Sequence, residues 1–198
     1  MQTTTLRTLS IEEVLGHVDA GAVLIDLRPI DAYLDAHVPG SLGLLYEVGP
    51  GMAARARDCL RLDLPLILLD LGHGDVMHAG ASLRGKGFTV LGSLEDGINA
   101  WAATRGPPAS TEVLESDRAS GGIALDVGDP GAGKTEGTIH VPIELLWSRL
   151  GEFEGRARVV VVAGIGVRAA LAVGMLERVG VPDIVFWKKP GSREAPGH

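Results

Sequence analysis

Three stretches of this chain carry residue types at spacings that can do chemistry. Asp70, His73, Asp75 and His78 fall within nine residues. Oxygen and imidazole donors at that density suit zinc or manganese, but His78 sits on the helix that follows. The reading adopted is a polar surface loop with an ordinary helix histidine, and no metal. Gly128-Asp129-Pro130-Gly131-Ala132-Gly133-Lys134-Thr135 matches G-x-x-x-x-G-K-T and follows a strand. A phosphate cradle needs a helix directly after it, because that helix supplies the N–H donors. What comes next, Glu136 to Pro142, places Gly, Pro and β-branched residues in the first two turns, so the spacing predicts a shortened loop rather than a nucleotide site. The third stretch, Gly164-Ile165-Gly166-Val167-Arg168, is a glycine-rich turn at a helix start. Its N–H groups and guanidinium can hold a small anion.

The single cysteine, Cys59, excludes a disulfide framework and a Cys-rich metal site. It lies in Met52 to Leu60, a predicted helix, where cysteine reads as a small buried hydrophobe. A net charge of −7, with Lys188-Lys189 as the one lysine pair, argues against nucleic acid or an acidic membrane as partner. No apolar run reaches the roughly 18 to 20 residues of a membrane span, and Met1 to Thr5 carries no signal-peptide core, so the expectation is a cytoplasmic protein. No cofactor is implied.

The elements that must position these residues repeat. Ser10 opens a capped helix, Ile11 to Ala20, followed by Gly21, the strand Val23 to Ile25 and Asp26. One hundred positions on, Ser110 opens a second such unit, with Gly121, the strand Ile123 to Leu125 and Asp126. Further along the offset becomes 93, which sets Ala163 on Asp70, Leu176 on Leu83 and Gly180 on Gly87. About seven residues are therefore missing between the two landmarks in the second copy. Copy one predicts a helix from Pro29 to Ala36, a weak strand Leu42 to Leu45, a strand Leu66 to Leu69, a helix Val76 to Lys86, a strand Thr89 to Leu91 and a helix Ile98 to Thr104. Copy two predicts a helix Leu145 to Leu150, a strand Val159 to Val162, a helix Arg168 to Val179 and a strand Ile184 to Phe186. Short apolar strands alternating with helices predict an α/β fold: two domains, 1–106 and 107–198, each a small mainly parallel sheet flanked by helices, packed as a pseudo-twofold pair. Arg105 to Ala109, rich in Pro and Gly, reads as the linker.

The motifs along copy one are Leu24-Ile25-Asp26-Leu27-Arg28, Tyr33, His37-Val38-Pro39-Gly40-Ser41 and Leu94-Glu95-Asp96-Gly97-Ile98-Asn99-Ala100-Trp101. In this order they resemble the rhodanese family, whose signatures run LIDVR, EY, GHIPGA and L-x-G-G-I-x-A-W. Copy two keeps Leu125-Asp126-Val127, Ile139-His140-Val141-Pro142 and Gly164 to Arg168, so the resemblance is to a tandem rhodanese-like chain. It implies sulfur transfer, in which a cysteine in a six-residue loop takes a sulfane sulfur from thiosulfate and passes it to a nucleophile. Such chemistry requires a thiolate stabilised by loop N–H groups and a helix N-terminus.

Against C-x-x-G-x-R-S the first loop reads Asp70-Leu71-Gly72-His73-Gly74-Asp75-Val76, and the second reads Ala163-Gly164-Ile165-Gly166-Val167-Arg168-Ala169. A carboxylate cannot hold a persulfide and alanine has no nucleophile, so neither loop is expected to be catalytic. Asp70 and Asp75 repel an anion from loop one, which leaves Gly164 to Arg168 as the candidate anion site. Gly128 replaces the arginine of D-x-R in copy two; Asp26, Arg28, His37 and Asp126 read as structural ties between the post-strand loop and nearby backbone. The expected function is a catalytically degenerate rhodanese-like module in sulfur metabolism. Its partner is a protein or a small sulfur-containing anion. The tandem order also resembles the tail of metallo-β-lactamase-fold sulfur hydrolases; the chain has no His-x-His-x-Asp-His, so such an enzyme enters only as a partner in trans. The alternatives are an active thiosulfate or persulfide sulfurtransferase, using Cys59 or another group, and a P-loop nucleotide binder.

Overall fold

The computed structural model describes residues 5–47, 49, 51–69, 75–115, 121–129, 135–162 and 166–188. The first sheet is built from β1 (Thr8–Leu9), β2 (Val23–Asp26), β3 (Leu42–Gly43), β4 (Leu66–Leu69) and β5 (Val90–Leu94). Between and after these run α1 (Ile11–Asp19), α2 (Ile30–Asp35), α3 (Gly51–Cys59), α4 (Val76–Gly85) and α5 (Gly97–Arg105). The second sheet holds β6 (Glu112–Leu114), β7 (Ile123–Asp126), β8 (Ile139–His140), β9 (Val159–Val162) and β10 (Ile184–Trp187), with α6 (Ile143–Arg149), a 3-10 turn (Leu150–Phe153) and α7 (Gly166–Arg178). Helix α1 starts where the sequence places it: the Ser10 hydroxyl accepts from the Glu13 N–H, and the Ser10 N–H donates to the Glu13 carboxylate. No helix among the described residues is long and apolar enough to cross a membrane.

Both sheets are parallel throughout and share one topology, β1-β5-β4-β2-β3 in the first and β6-β10-β9-β7-β8 in the second. Their central strands, Leu66–Leu69 and Val159–Val162, are buried on both faces, as parallel strands covered by helices must be. Equivalent positions in the two ladders are Leu9 and Leu114, Asp26 and Asp126, Gly43 and His140, Leu69 and Val162, and Leu94 and Trp187. The offset thus falls from 105 to 100, 97, 93 and 93, so the second copy is shortened at three successive connections, not one.

The first shortening corrects the sequence reading. Ser110 does not open a helix: Glu112–Leu114 is strand β6, paired in parallel with β10. Only eight residues then separate Leu114 from Ile123, against thirteen between Leu9 and Val23. The fifth strand is also longer than expected, running on to Leu94, and the predicted linker is pinned by an antiparallel bridge between His37 and Ala109. The described residues between β7 and β8 carry no helix equivalent to α2, as the short spacing predicts.

The two sheets share a continuous apolar core that includes Ile25, Leu42, Leu68, Leu125, Val161 and Leu171. Its centre is α7, in which Val167 and every residue from Ala169 to Leu176 is buried. A helix without a polar face needs cover on all sides. Its own β9 and β10 supply one side, and β3 and α2 of the first unit supply another. The approach is close enough to demand small residues: a Cβ on Gly174 would lie 1.9 Å from the Ser41 carbonyl oxygen, and one on Gly43 would lie 2.8 Å from the Ala170 Cβ. The pairing is therefore asymmetric. Helices α3 and α6 are equivalent and meet each other, but α4, the counterpart of α7, packs chiefly within its own unit on α3, β4 and β5.

Candidate functional site

In the first unit β4 ends at Leu69 and α4 begins at Val76. Asp70, Leu71, Gly72, His73 and Gly74 lie outside the described residues. Asp75 caps α4 without a side-chain hydrogen bond to it, and both Asp75 and His78 are exposed. Among the described residues no three His, Cys, Asp or Glu side chains gather as a metal site.

In the second unit Ala163, Gly164 and Ile165 lie outside the described residues, and α7 already begins at Gly166. The helix starts two residues before the Arg168 expected from the sequence, with Gly166, Val167 and Arg168 in its first turn. The reason is packing. Val167 is buried, and the Ile30 side chain of α2 comes within 3.1 Å of where a Cβ on Gly166 would sit. Arg168 turns to two carboxylates, a close pair with Asp129 and a contact of 3.3 Å with Glu144. One of its terminal nitrogens, Nη1, is buried without a hydrogen-bond partner among the described residues.

Asp26, Arg28, His37 and Asp126 each hydrogen-bond near the end of the strand they follow or close. Asp26 is fully buried and accepts from the Arg28 backbone N–H at 3.0 Å and from the Arg28 guanidinium at 2.7 Å, while Arg28 also donates to the Ala36 carbonyl. In the second unit, where Gly128 stands for that arginine, backbone replaces it: the Gly128 and Thr135 N–H groups donate to Asp126 at 2.9 and 3.1 Å. Burial alone would raise the Asp126 pKa; these donors outweigh it and hold the carboxyl below its usual range. The same closure disposes of the phosphate cradle. Lys134 lies outside the described residues, but after Thr135 the chain makes a turn and strand β8, not the helix a P-loop needs.

Cys59 is 4% exposed at the end of α3. Burial is the main cause that pushes its thiol up to about 12, with Glu144 adding to the rise and Arg168 and Arg55 opposing it. A thiol so held is protonated at neutral pH and is a poor nucleophile.

His37 does more than tie local backbone. Its Nδ1 lies 2.8 Å from the Tyr33 carbonyl and its ring stacks on Tyr33, but Nε2 reaches the Glu177 carboxylate of α7 at 2.9 Å. The other Glu177 oxygen accepts the Gly40 N–H at 2.6 Å. Beside it, Arg178 lies over Trp147, with its guanidinium carbon 6.0 Å from the ring centre. Pro39, Gly40, Glu177, Arg178 and Val181 line an open cleft of about 380 Å³ along this seam. Sequence reasoning missed Glu177, Arg178, Asp129 and Glu144. The available signal was the uncharged run Ala169 to Leu176 just before Glu177, which marks a helix buried all round.

A family model for the rhodanese-like domain matches residues 10–104, the span from the N-cap of α1 to the last turn of α5. Among curated proteins, a thiosulfate sulfurtransferase GlpE from Stutzerimonas stutzeri is 30% identical over 101 residues, covering 51% of this chain and 89% of that protein. The one from Pseudomonas savastanoi pv. phaseolicola is 29% identical over 101 residues, covering 51% of this chain and 92% of its relative. Of solved structures, a rhodanese-like domain of a protein from Anabaena sp. is 27% identical, with 45% of this chain and 92% of that one covered and a TM-score of 0.40. A thiosulfate sulfurtransferase from Pseudomonas aeruginosa is 20% identical, with 92% and 43% covered and a TM-score of 0.42. With the motif order of the first unit, the parallel topology of both sheets and a relative matched over nearly its whole length, this chain belongs to the rhodanese-like family.

Proposed function

We propose that this chain is a rhodanese-like module that has lost sulfur transfer and acts by binding. One observation carries the reading: its only thiol, Cys59, is buried with a pKa of about 12, and the loop positions aligned with the family's cysteine hold Asp70 and Ala163. Transfer of a sulfane sulfur needs a thiolate that thiosulfate can reach. The curated relatives are named thiosulfate sulfurtransferases, so the same assay tests this chain directly. Thiocyanate formation from thiosulfate and cyanide is expected at the uncatalysed rate. Turnover above that rate which disappears in Cys59→Ala overturns the reading in favour of an active sulfurtransferase.

The bound partner is a protein in preference to a small sulfur-containing anion. Supporting this, Arg168 already faces Asp129 and Glu144, whose negative charges oppose a thiosulfate at the start of α7. Thiosulfate titrated by calorimetry is expected to give no saturable heat. Saturable binding that Arg168→Gln abolishes restores the anion reading.

A further inference from the structure

The cleft along the seam between the two units has an unusual charge balance. Both oxygens of Glu177 are engaged, one by His37 Nε2 and one by the Gly40 N–H. Arg178, the other charged residue of the lining, has no carboxylate within ion-pair distance among the described residues. Its polar contact is the Gly40 carbonyl at 3.5 Å, a long one, and its guanidinium carbon lies 6.0 Å from the centre of the Trp147 ring. Desolvation lowers the Arg178 pKa. The other arginines around the seam differ: Arg28 pairs with Asp26, Arg55 lies near Glu47, and Arg168 meets Asp129 and Glu144. An exposed guanidinium set beside an aromatic ring, with no carboxylate partner among the described residues, is placed to receive an oxyanion. Pro39 and Val181 add apolar wall to this open cleft.

We infer that this cleft binds a small carboxylate ligand carried on a compact apolar body, with Arg178 as the group that holds the carboxylate. Both Glu177 oxygens are turned to His37 Nε2 and the Gly40 N–H, which leaves Arg178 as the charged group of the lining that can meet an anion. The ligand touches Pro39 and Gly40 of the first unit and Arg178 and Val181 of the second, so occupancy tightens the seam. This site is separate from Arg168 and does not depend on whether the chain transfers sulfur.

The test uses 3-phenylpropionate as probe, followed by Trp147 fluorescence, assigned with Trp147→Phe, and by amide and guanidinium NMR resonances of the full chain. A saturable change is expected, centred on Gly40 and Arg178. Arg178→Gln should weaken it by at least about tenfold, and acetate, which lacks the apolar body, should bind the wild type at least about tenfold more weakly. Absence of a saturable change, or an Arg178→Gln protein that titrates like the wild type, overturns the proposal. Should that variant not fold, the wild-type NMR map decides: shifts centred on Arg168 instead of Gly40 and Arg178 also overturn it.

Discussion

His37 Nε2 lies 2.9 Å from the Glu177 carboxylate, 140 positions further along the chain, and this pair joins the two sheets. Both ring nitrogens of the fully buried His37 face acceptors, the Tyr33 carbonyl on one side and Glu177 on the other. The ring also stacks on Tyr33, with centroids 4.3 Å apart. Glu177→Ala leaves the imidazole and the Gly40 N–H without their acceptor. The expected loss of stability is about 2–4 kcal/mol in urea unfolding, with Glu177→Gln losing less because it keeps one acceptor oxygen. A Glu177→Ala protein within about 0.5 kcal/mol of wild type would show that the pair contributes little.

Close packing of α7 on the first unit makes a second prediction. In Gly174→Ala the added methyl would meet the Ser41 carbonyl oxygen at 1.9 Å, and backbone on both sides leaves no soft atom to yield. The expected cost is at least about 3 kcal/mol, the upper end of overpacking effects. Gly16 in α1 is the control, since nothing lies within 4 Å of a Cβ there. Gly16→Ala should stabilise by roughly 0.5–1 kcal/mol through helix propensity. Thermal melts of the two variants should therefore move in opposite directions, and a neutral Gly174→Ala would mean that the seam is looser than the structure shows.

The fold was readable from the sequence because parallel strands buried on both faces announce themselves as apolar runs, as at Leu66–Leu69 and Val159–Val162. Local capping was readable too, at Ser10 and Glu13. The helix expected after Ser110 failed because the offset of 100, anchored on Asp26 and Asp126, does not hold upstream, where the ladder gives 105. In Glu112–Leu114 three residues are too few for periodicity to tell a strand from a helix turn. At the site, Asp26 and Arg28 were legible since their partners lie two residues apart. Glu177 was not, because nothing local links it to His37; nor were Asp129 and Glu144, which meet Arg168 only through tertiary packing.

Cys59 offers a readout of burial. With its folded pKa near 12 and an unfolded value near about 8.5, the native thiol should react with a thiol-specific reagent at pH 8 only as fast as the protein opens, and at once in denaturant. The sign for stability follows from proton counting. Between those two values the unfolded state loses its proton first, so ionisation favours unfolding and stability falls as pH rises, by up to roughly 1.4 kcal/mol per unit. Cys59→Ser removes this slope above about pH 8.5. Rapid native-state labelling at pH 8 would contradict the buried placement and weaken the binding-only reading with it.

Asp126 carries the opposite dependence. Burial raises its pKa, but the Gly128 and Thr135 N–H donors prevail and the folded value lies below that of the free side chain. Stability from this group is complete above the unfolded value near about 3.9 and is lost as pH falls through the folded one. Asp126→Asn keeps the shape but turns an amide NH2 or a single oxygen toward two N–H donors, leaving at least one imperfectly met, at a cost of roughly 1–3 kcal/mol at neutral pH. The gap in urea midpoint between the variant and wild type should then narrow as pH falls from about 5 to about 2.5, since acid removes from the wild type what the substitution has already removed. A gap that stays constant over that range would mean that Asp126 is already protonated in the fold, and that the Gly128 to Thr135 loop is not held by a carboxylate.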